Sequence, residues 1–147
     1  MGVGVVFQGA SQLTIDAKGR LSMPSRHRDA LMAQCEGRLT LTRHPDGCVL
    51  VYPRSIWEAK RGEIAALPFS ARALQRLLLG NATDVDVDSA GRVLVPTELR
   101  SATSIERDVM LLGMGAHFEL WDATRLAAHE KEQLANGLPD AAADFTF

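Results

Sequence analysis

A lysine and an arginine held at a turn by an aspartate and a glycine can read duplex DNA. That combination stands at Asp16-Ala-Lys-Gly-Arg20-Leu-Ser-Met-Pro24. The aspartate side chain bonds the backbone ahead of it, and Gly19 supplies the positive φ that the turn needs. Lys18 and Arg20 then sit at the tip of a two-stranded ribbon, with Arg26, His27 and Arg28 just beyond Pro24. A ribbon fits the major groove, where an arginine can make a bidentate bond to a guanine edge. The other cations would hold phosphates. Lys18, Arg20, Arg26 and Arg28 are therefore the candidate contacts. The alternative for Arg20 is structural, a bridge to the turn aspartate or to a carbonyl.

The pattern recurs 72 residues on, as Asp88-Ser-Ala-Gly-Arg92-Val-Leu-Val-Pro96. Asp16, Gly19 and Pro24 align with Asp88, Gly91 and Pro96, and Arg20 aligns with Arg92. The basic surplus does not recur. Residues 12–28 set Lys18, Arg20, Arg26, His27 and Arg28 against Asp16 alone, whereas 84–100 set Arg92 and Arg100 against Asp84, Asp86, Asp88 and Glu98. The shared residues are expected to build a scaffold and the cations of the first copy to use it, with Arg92 structural.

Other chemistry has weak support. There is no nucleophile elbow and no phosphate-binding P-loop. The pairs Gly2-Val-Gly4 and Gly113-Met-Gly115 lack the third glycine of a dinucleotide fingerprint. His27, His44, His117 and His129 are scattered and are expected on surfaces or turns rather than on a metal. Asp84, Asp86 and Asp88 alternate with Val85 and Val87, as on the solvent face of a strand, and lack the glycine of a calcium loop. No enzyme, cofactor or metal is expected.

These residues need strands to position them. Leu13–Asp16 alternates apolar and polar, as a half-buried strand does, and Arg20–Met23 is its return strand. Pro24 ends that strand and opens a helix over 25–34. Arg38–Arg43, the turn His44-Pro-Asp-Gly47 and Cys48–Tyr52 form a second hairpin. A second matching block supports duplication. Val49-Leu-Val-Tyr52 with Ser55 aligns with Phe118-Glu-Leu-Trp121 with Thr124 at an offset of 69. Between the copies, Ser55-Ile-Trp-Glu58 fits a capping box opening a helix to about Ala66. Leu67-Pro68 breaks it, and a helix over 70–79 stops at Gly80. Tyr52, Trp57 and Trp121 are expected in the core or a subunit interface. The division is then a 1–6 extension, a first unit over 7–54, linking helices over 55–80, a second unit over 81–124, a C-terminal helix over 122–135 and a flexible tail over 136–147. Phe145 and Phe147 of that tail could dock on a neighbour. The class is α+β and strand-rich, with both units packed on one core.

The 147 residues are 46% hydrophobic and 23% charged, ordinary values for a globular chain. The longest apolar run is far too short to span a membrane, and the start makes a poor signal peptide. Cys35 and Cys48 fit neither a disulfide framework nor a zinc site, so a reducing cytoplasm is expected. The net charge of −2 hides an asymmetry: residues 1–72 carry ten Lys/Arg against six Asp/Glu, and 73–147 carry six against twelve. The acidic second unit is expected to point away from DNA and limit indiscriminate binding.

Taken together, the sequence resembles the MraZ family of bacterial transcriptional regulators, built from two AbrB-like (SpoVT-AbrB) units. The resemblance runs from Phe7 to about Ala135. It rests on Phe7-Gln-Gly9, the two D-x-x-G-R-x-x-x-P patterns, Leu77-Leu-Leu-Gly-Asn-Ala82, Leu99-Arg100 and Phe118-Glu-Leu-Trp121-Asp. It implies an AbrB-like swapped-hairpin barrel with flanking helices, assembled into ring-shaped homo-oligomers in the cytoplasm at the nucleoid. It implies binding to short direct repeats in double-stranded promoter DNA of the division and cell-wall gene cluster holding the family's own gene. Lys18 and Arg20 would make the contacts, with Arg26 and Arg28 as neighbours. AbrB-like units also serve as antitoxins, so the alternative is an antitoxin-like or scaffolding protein–protein module.

Overall fold

In the computed structural model, which describes residues 6–147, prolines divide the chain into repeating elements. The expected 1–6 extension falls, apart from Val6, outside the described residues. The first half runs through β1 (Ala10–Thr14), the Asp16–Gly19 turn, β2 (Arg20–Ser22), α1 (Ser25–Cys35), β3 (Arg38–Arg43) and β4 (Val49–Pro53). Pro24 sits at the N-cap of α1, where a missing N–H costs nothing. Two helices follow, α2 (Arg54–Ala65) and α3 (Arg72–Gly80). The second half repeats the order: β5 (Thr83–Asp86), β6 (Arg92–Leu94), α4 (Thr97–Ala102) behind Pro96, β7 (Asp108–Gly113) and β8 (Phe118–Asp122). The chain closes with α5 (Ala123–Ala135) and the short α6 (Asp140–Ala143). The expected α+β, strand-rich class is the one adopted.

The first expected hairpin differs from its prediction. Its turn closes through Asp16 N to Arg20 O at 3.0 Å and one bridge, Ile15 to Leu21, and then the strands part. β1 pairs antiparallel with β7 of the other half, Leu13 opposite Val109. β5 reciprocates by pairing with β3, Val85 opposite Leu39. The short strands β2 and β6 pair with each other, Leu21 opposite Val93. A lone two-stranded hairpin is marginal in water. Exchange gives each first strand a longer partner inside a six-stranded sheet, ordered β1-β7-β8-β4-β3-β5. Alternation along a strand reports which side is buried but not which strand lies alongside.

Period-two alternation also assigns the two faces of the sheet. Leu39, Leu41, Val49, Val51, Val109, Leu111, Phe118 and Leu120 form the inner face. They pack in one core with Leu21 and Val93 of the small sheet, Leu31 of α1 and Leu99 of α4. On the outer face, Leu50 and Tyr52 pack under Trp57 and Ile64 of α2, and Cys48 and Trp121 under Leu126 of α5. The three expected aromatics are thus buried within one chain.

Two local expectations are corrected. Ser55 does not cap α2, because β4 ends on Pro53 and Pro53 itself occupies the N-cap, which draws Ser55 into the first turn. Gly80 is the last residue of α3 rather than a left-handed stop, and Asn81 follows as its cap.

The histidines also need correcting. His44 does lie in a turn, where its Nδ1 accepts from Asp46 N at 2.9 Å. His27, however, is buried between Phe7 and Phe118, with ring centroids 6.0 and 4.9 Å away, and its Nε2 has no partner among the described residues. Burial, and then the nearby Arg26, hold its pKa below the usual 6.5. The unfolded chain therefore takes up this proton first. Stability is full above about pH 6.5 and is lost as pH falls toward the folded pKa. His117, stacked on Tyr52, is also lowered, chiefly by burial, and adds in the same sense. Thermal unfolding between about pH 5 and 7 should show a flatter slope for His27→Phe than for the parent; an unchanged slope would remove His27 from the account.

Candidate nucleic-acid interface

The two D-x-x-G-R segments fold into matching turns. Asp16 Oδ1 accepts from the backbone N–H groups of Lys18 and Arg20, both at 2.9 Å, and Oδ2 accepts from Arg20 Nε at 2.9 Å. In the second turn Asp88 Oδ1 accepts from Ala90 N at 2.9 Å and Arg92 N at 2.8 Å. Arg92 Nε lies 3.5 Å from Asp88 Oδ2. The Arg20 backbone N–H contributes most to holding Asp16 below the ordinary carboxylate range, and the Arg92 N–H does so for Asp88. Both carboxylates therefore stay charged and keep the turns closed. Arg20 is held through Nε alone, and its terminal nitrogens carry no hydrogen bond among the described residues. The side chain can bridge the turn and still present its fork outward. Lys18 is exposed at the same turn.

The turns lie at opposite ends of the antiparallel β2–β6 ribbon, each against the strand end of the other half. Val95 N donates to Gly19 O at 2.8 Å, and Met23 N donates to Gly91 O at 2.9 Å. The β2–β6 register sets Arg20 opposite Leu94 and Arg92 opposite Ser22, so Asp16 with Arg20 and Asp88 with Arg92 stand at separate ends of one ribbon. Each turn is braced by an arginine from the other half. The Arg100 side chain lies across Gly19 and that of Arg28 across Gly91, each within 2.7 Å of where a Cβ would stand. Arg100 also donates to Val95 O at 2.9 Å and Thr97 Oγ1 at 3.0 Å.

The structure thus separates the candidate contacts. Lys18 and Arg20 share the first turn. Arg28, 40% exposed, lies over the second, with its Nε 3.9 Å from Asp29. Arg26 is exposed but reaches the start of β1, 3.1 Å from the Cβ position of Gly9, rather than the turn.

Gly91 has φ +79, and a Cβ there would meet the Arg28 side chain at 2.7 Å, which would have to shift. Gly91→Ala should cost about 1–2 kcal/mol for the left-handed backbone alone, lowering Tm by roughly 3–8 °C for a chain this size. Combining it with Arg28→Ala should relieve the steric part. A fully additive double variant would show that Arg28 does not pack on this turn.

One brace between the halves escapes sequence reasoning. Arg54 Nη2 donates to Leu39 O at 3.0 Å, Val85 O at 3.1 Å and Asp86 Oδ1 at 2.9 Å, and its Nε lies 3.7 Å from Asp84. Thr40 Oγ1 bonds Asp84 at 2.7 Å. Asp84 and Asp86 are exposed on β5, as expected, yet a cation from the other half offsets their charge. No local spacing links residue 54 to residues 84 and 86.

Comparison with known proteins agrees on the duplication. Residues 6–79 and 78–146 each match the family described as "MraZ protein, putative antitoxin-like". Over 142 residues, 97% of this chain and the whole of each relative, the chain is 70% identical to a transcriptional regulator MraZ of Bordetella pertussis. Over the same span it is 63% identical to that of a Janthinobacterium species and 60% identical to that of Burkholderia mallei.

Proposed function

The chain belongs to the MraZ family, and from that premise we propose that it is a sequence-specific DNA-binding regulator of transcription. The observation that carries this is the first turn. Arg20 is oriented by Asp16 with its terminal nitrogens unbonded, beside an exposed Lys18. A side chain already fixed loses less entropy when it meets a base edge. Arg20 reads a guanine, Lys18 holds a phosphate, Arg28 reaches the backbone from above the second turn, and Arg26 meets a phosphate farther along the duplex. Arg92 keeps the second turn closed. The target is the promoter of the division and cell-wall cluster that includes the chain's own gene, met through short direct repeats at the nucleoid. The exchange of β1 and β5 between the halves supports an AbrB-like swapped-hairpin arrangement.

Purified protein should bind its own upstream DNA more tightly than a scrambled duplex. The logarithm of affinity should fall linearly with the logarithm of salt concentration. Equal affinity for both duplexes would sink the proposal and favour the protein–protein alternative. Copies should also assemble, as a ring-like homo-oligomer. Light scattering at micromolar concentration should report a particle much larger than 16.0 kDa, and a monomer would overturn the assembly.

A further inference from the structure

We propose that the C-terminal segment of one copy docks on the tip of the α2–α3 hairpin of a second copy, through apolar contacts framed by opposite charges. This rests on the assembly proposed above and names its surfaces. Among the described residues, the large apolar side chains left in solvent concentrate in two places. One is the hairpin tip, with Leu67, Leu74 and Phe69, the last 78% exposed and 5.2 Å from the guanidinium of Arg72. The other is the end of the chain, with Leu134, Leu138, Phe145 and Phe147. Phe145 and Phe147 touch only edge to face at 5.2 Å and remain open to solvent.

The charges differ in sign. Residues 65–80 carry Arg72 and Arg76 and no acid, while 134–147 carry Asp140 and Asp144 and no Lys or Arg. All four charged groups are exposed. Each surface is therefore apolar, and each holds the charge the other lacks. Clustered exposed apolar groups of this kind mark interaction sites, and an aromatic ring beside an arginine is the usual make-up of their anchors. Within one chain neither surface covers the other. The hairpin lies over β3 and β4, and α5 over β7 and β8, so the two occupy different parts of the outer face. A tail-to-hairpin contact is heterologous: every copy offers one donor and one acceptor, so copies add head to tail until the set closes.

The test uses the full chain with Phe145→p-benzoylphenylalanine, as a mixture of normal and heavy-isotope-labelled protein. Irradiation should join normal to heavy peptides at residues 66–76. Asp140→Arg with Asp144→Arg should lower that yield roughly tenfold or more. Adding Arg72→Glu and Arg76→Glu in the same chain should restore it, and circular dichroism should show all variants folded. Cross-links confined to one chain, cross-links to another surface, or no recovery in the fourfold variant would each overturn the proposal. A monomer by light scattering removes the assembly and this contact together. An intact oligomer without the cross-link removes this contact alone.

Discussion

Arg20→Ala is expected to abolish specific DNA binding while leaving the folded oligomer in place. A bidentate arginine–guanine contact contributes about 1–3 kcal/mol of discrimination, or roughly 5–150-fold per engaged turn. Two engaged turns multiply that factor. The turn should survive the change, because Asp16 keeps its bonds to the backbone N–H groups of Lys18 and Arg20. Arg20→Lys separates charge from shape: it retains a cation but not the planar fork. It should keep salt-sensitive, nonspecific binding and lose preference for the operator over a scrambled duplex. Arg92→Ala should act mainly on stability. Its turn has Ala90 where the first has Lys18, and its Nε is buried without a hydrogen bond. Equal loss of binding from Arg20→Ala and Arg92→Ala, with both oligomers intact, would contradict this division of labour.

The second large effect concerns the operator. One turn offers few cations, and one base contact is too weak to select a promoter from a genome. Several turns carried on one particle change this, since each bound turn raises the local concentration of DNA at the next. Avidity of this kind multiplies affinity by roughly 10²–10⁴. Copies arranged head to tail present their turns in the same sense and so match direct repeats. Spacing near one helical turn, roughly 10 bp, would bring each tip to the same groove face. Inserting half a turn between repeats should therefore cost most of the avidity, and inserting a full turn far less. Titrations of natural, half-turn and full-turn arrays at one salt concentration check this. An isolated repeat, or an out-of-phase array, bound as tightly as the natural array would refute it.

What could be read from sequence was what local chemistry determines. Asp16, Gly19 and Pro24 specify a turn and a strand end over nine residues, so both turns stand where expected. β3 has the span read from its alternation, and the His44–Gly47 turn closes through Gly47 N to His44 O at 3.0 Å. The misreadings arise where distant partners decide. Leu13 announces a buried face but not that Val109 lies opposite. His27 stands four residues before Leu31, on the buried face of α1, but its polar ring argued for the surface, and Phe7 and Phe118 from elsewhere in the chain enclose it. The bracing of Gly91 by Arg28 follows from the exchange of strands. Among the candidate contacts, the grouping of Lys18 with Arg20 was legible because they share one turn. The displacement of Arg26 to the start of β1 was not.

The strand exchange also sets an order of events during synthesis. β1 leaves the ribosome early, yet its partner begins with the residue opposite Thr14, Asp108. At about 5–20 residues per second, β1 waits several seconds or more with an unpaired edge. β3 likewise waits for β5. The first half cannot complete its own core as a nascent chain, because Val109, Leu111, Phe118 and Leu120 have not yet been made. Folding is thus deferred until most of the polypeptide exists, and such non-local pairing is slow. A stalled or prematurely terminated chain would carry unsatisfied strand edges and be an early substrate for chaperones and proteases.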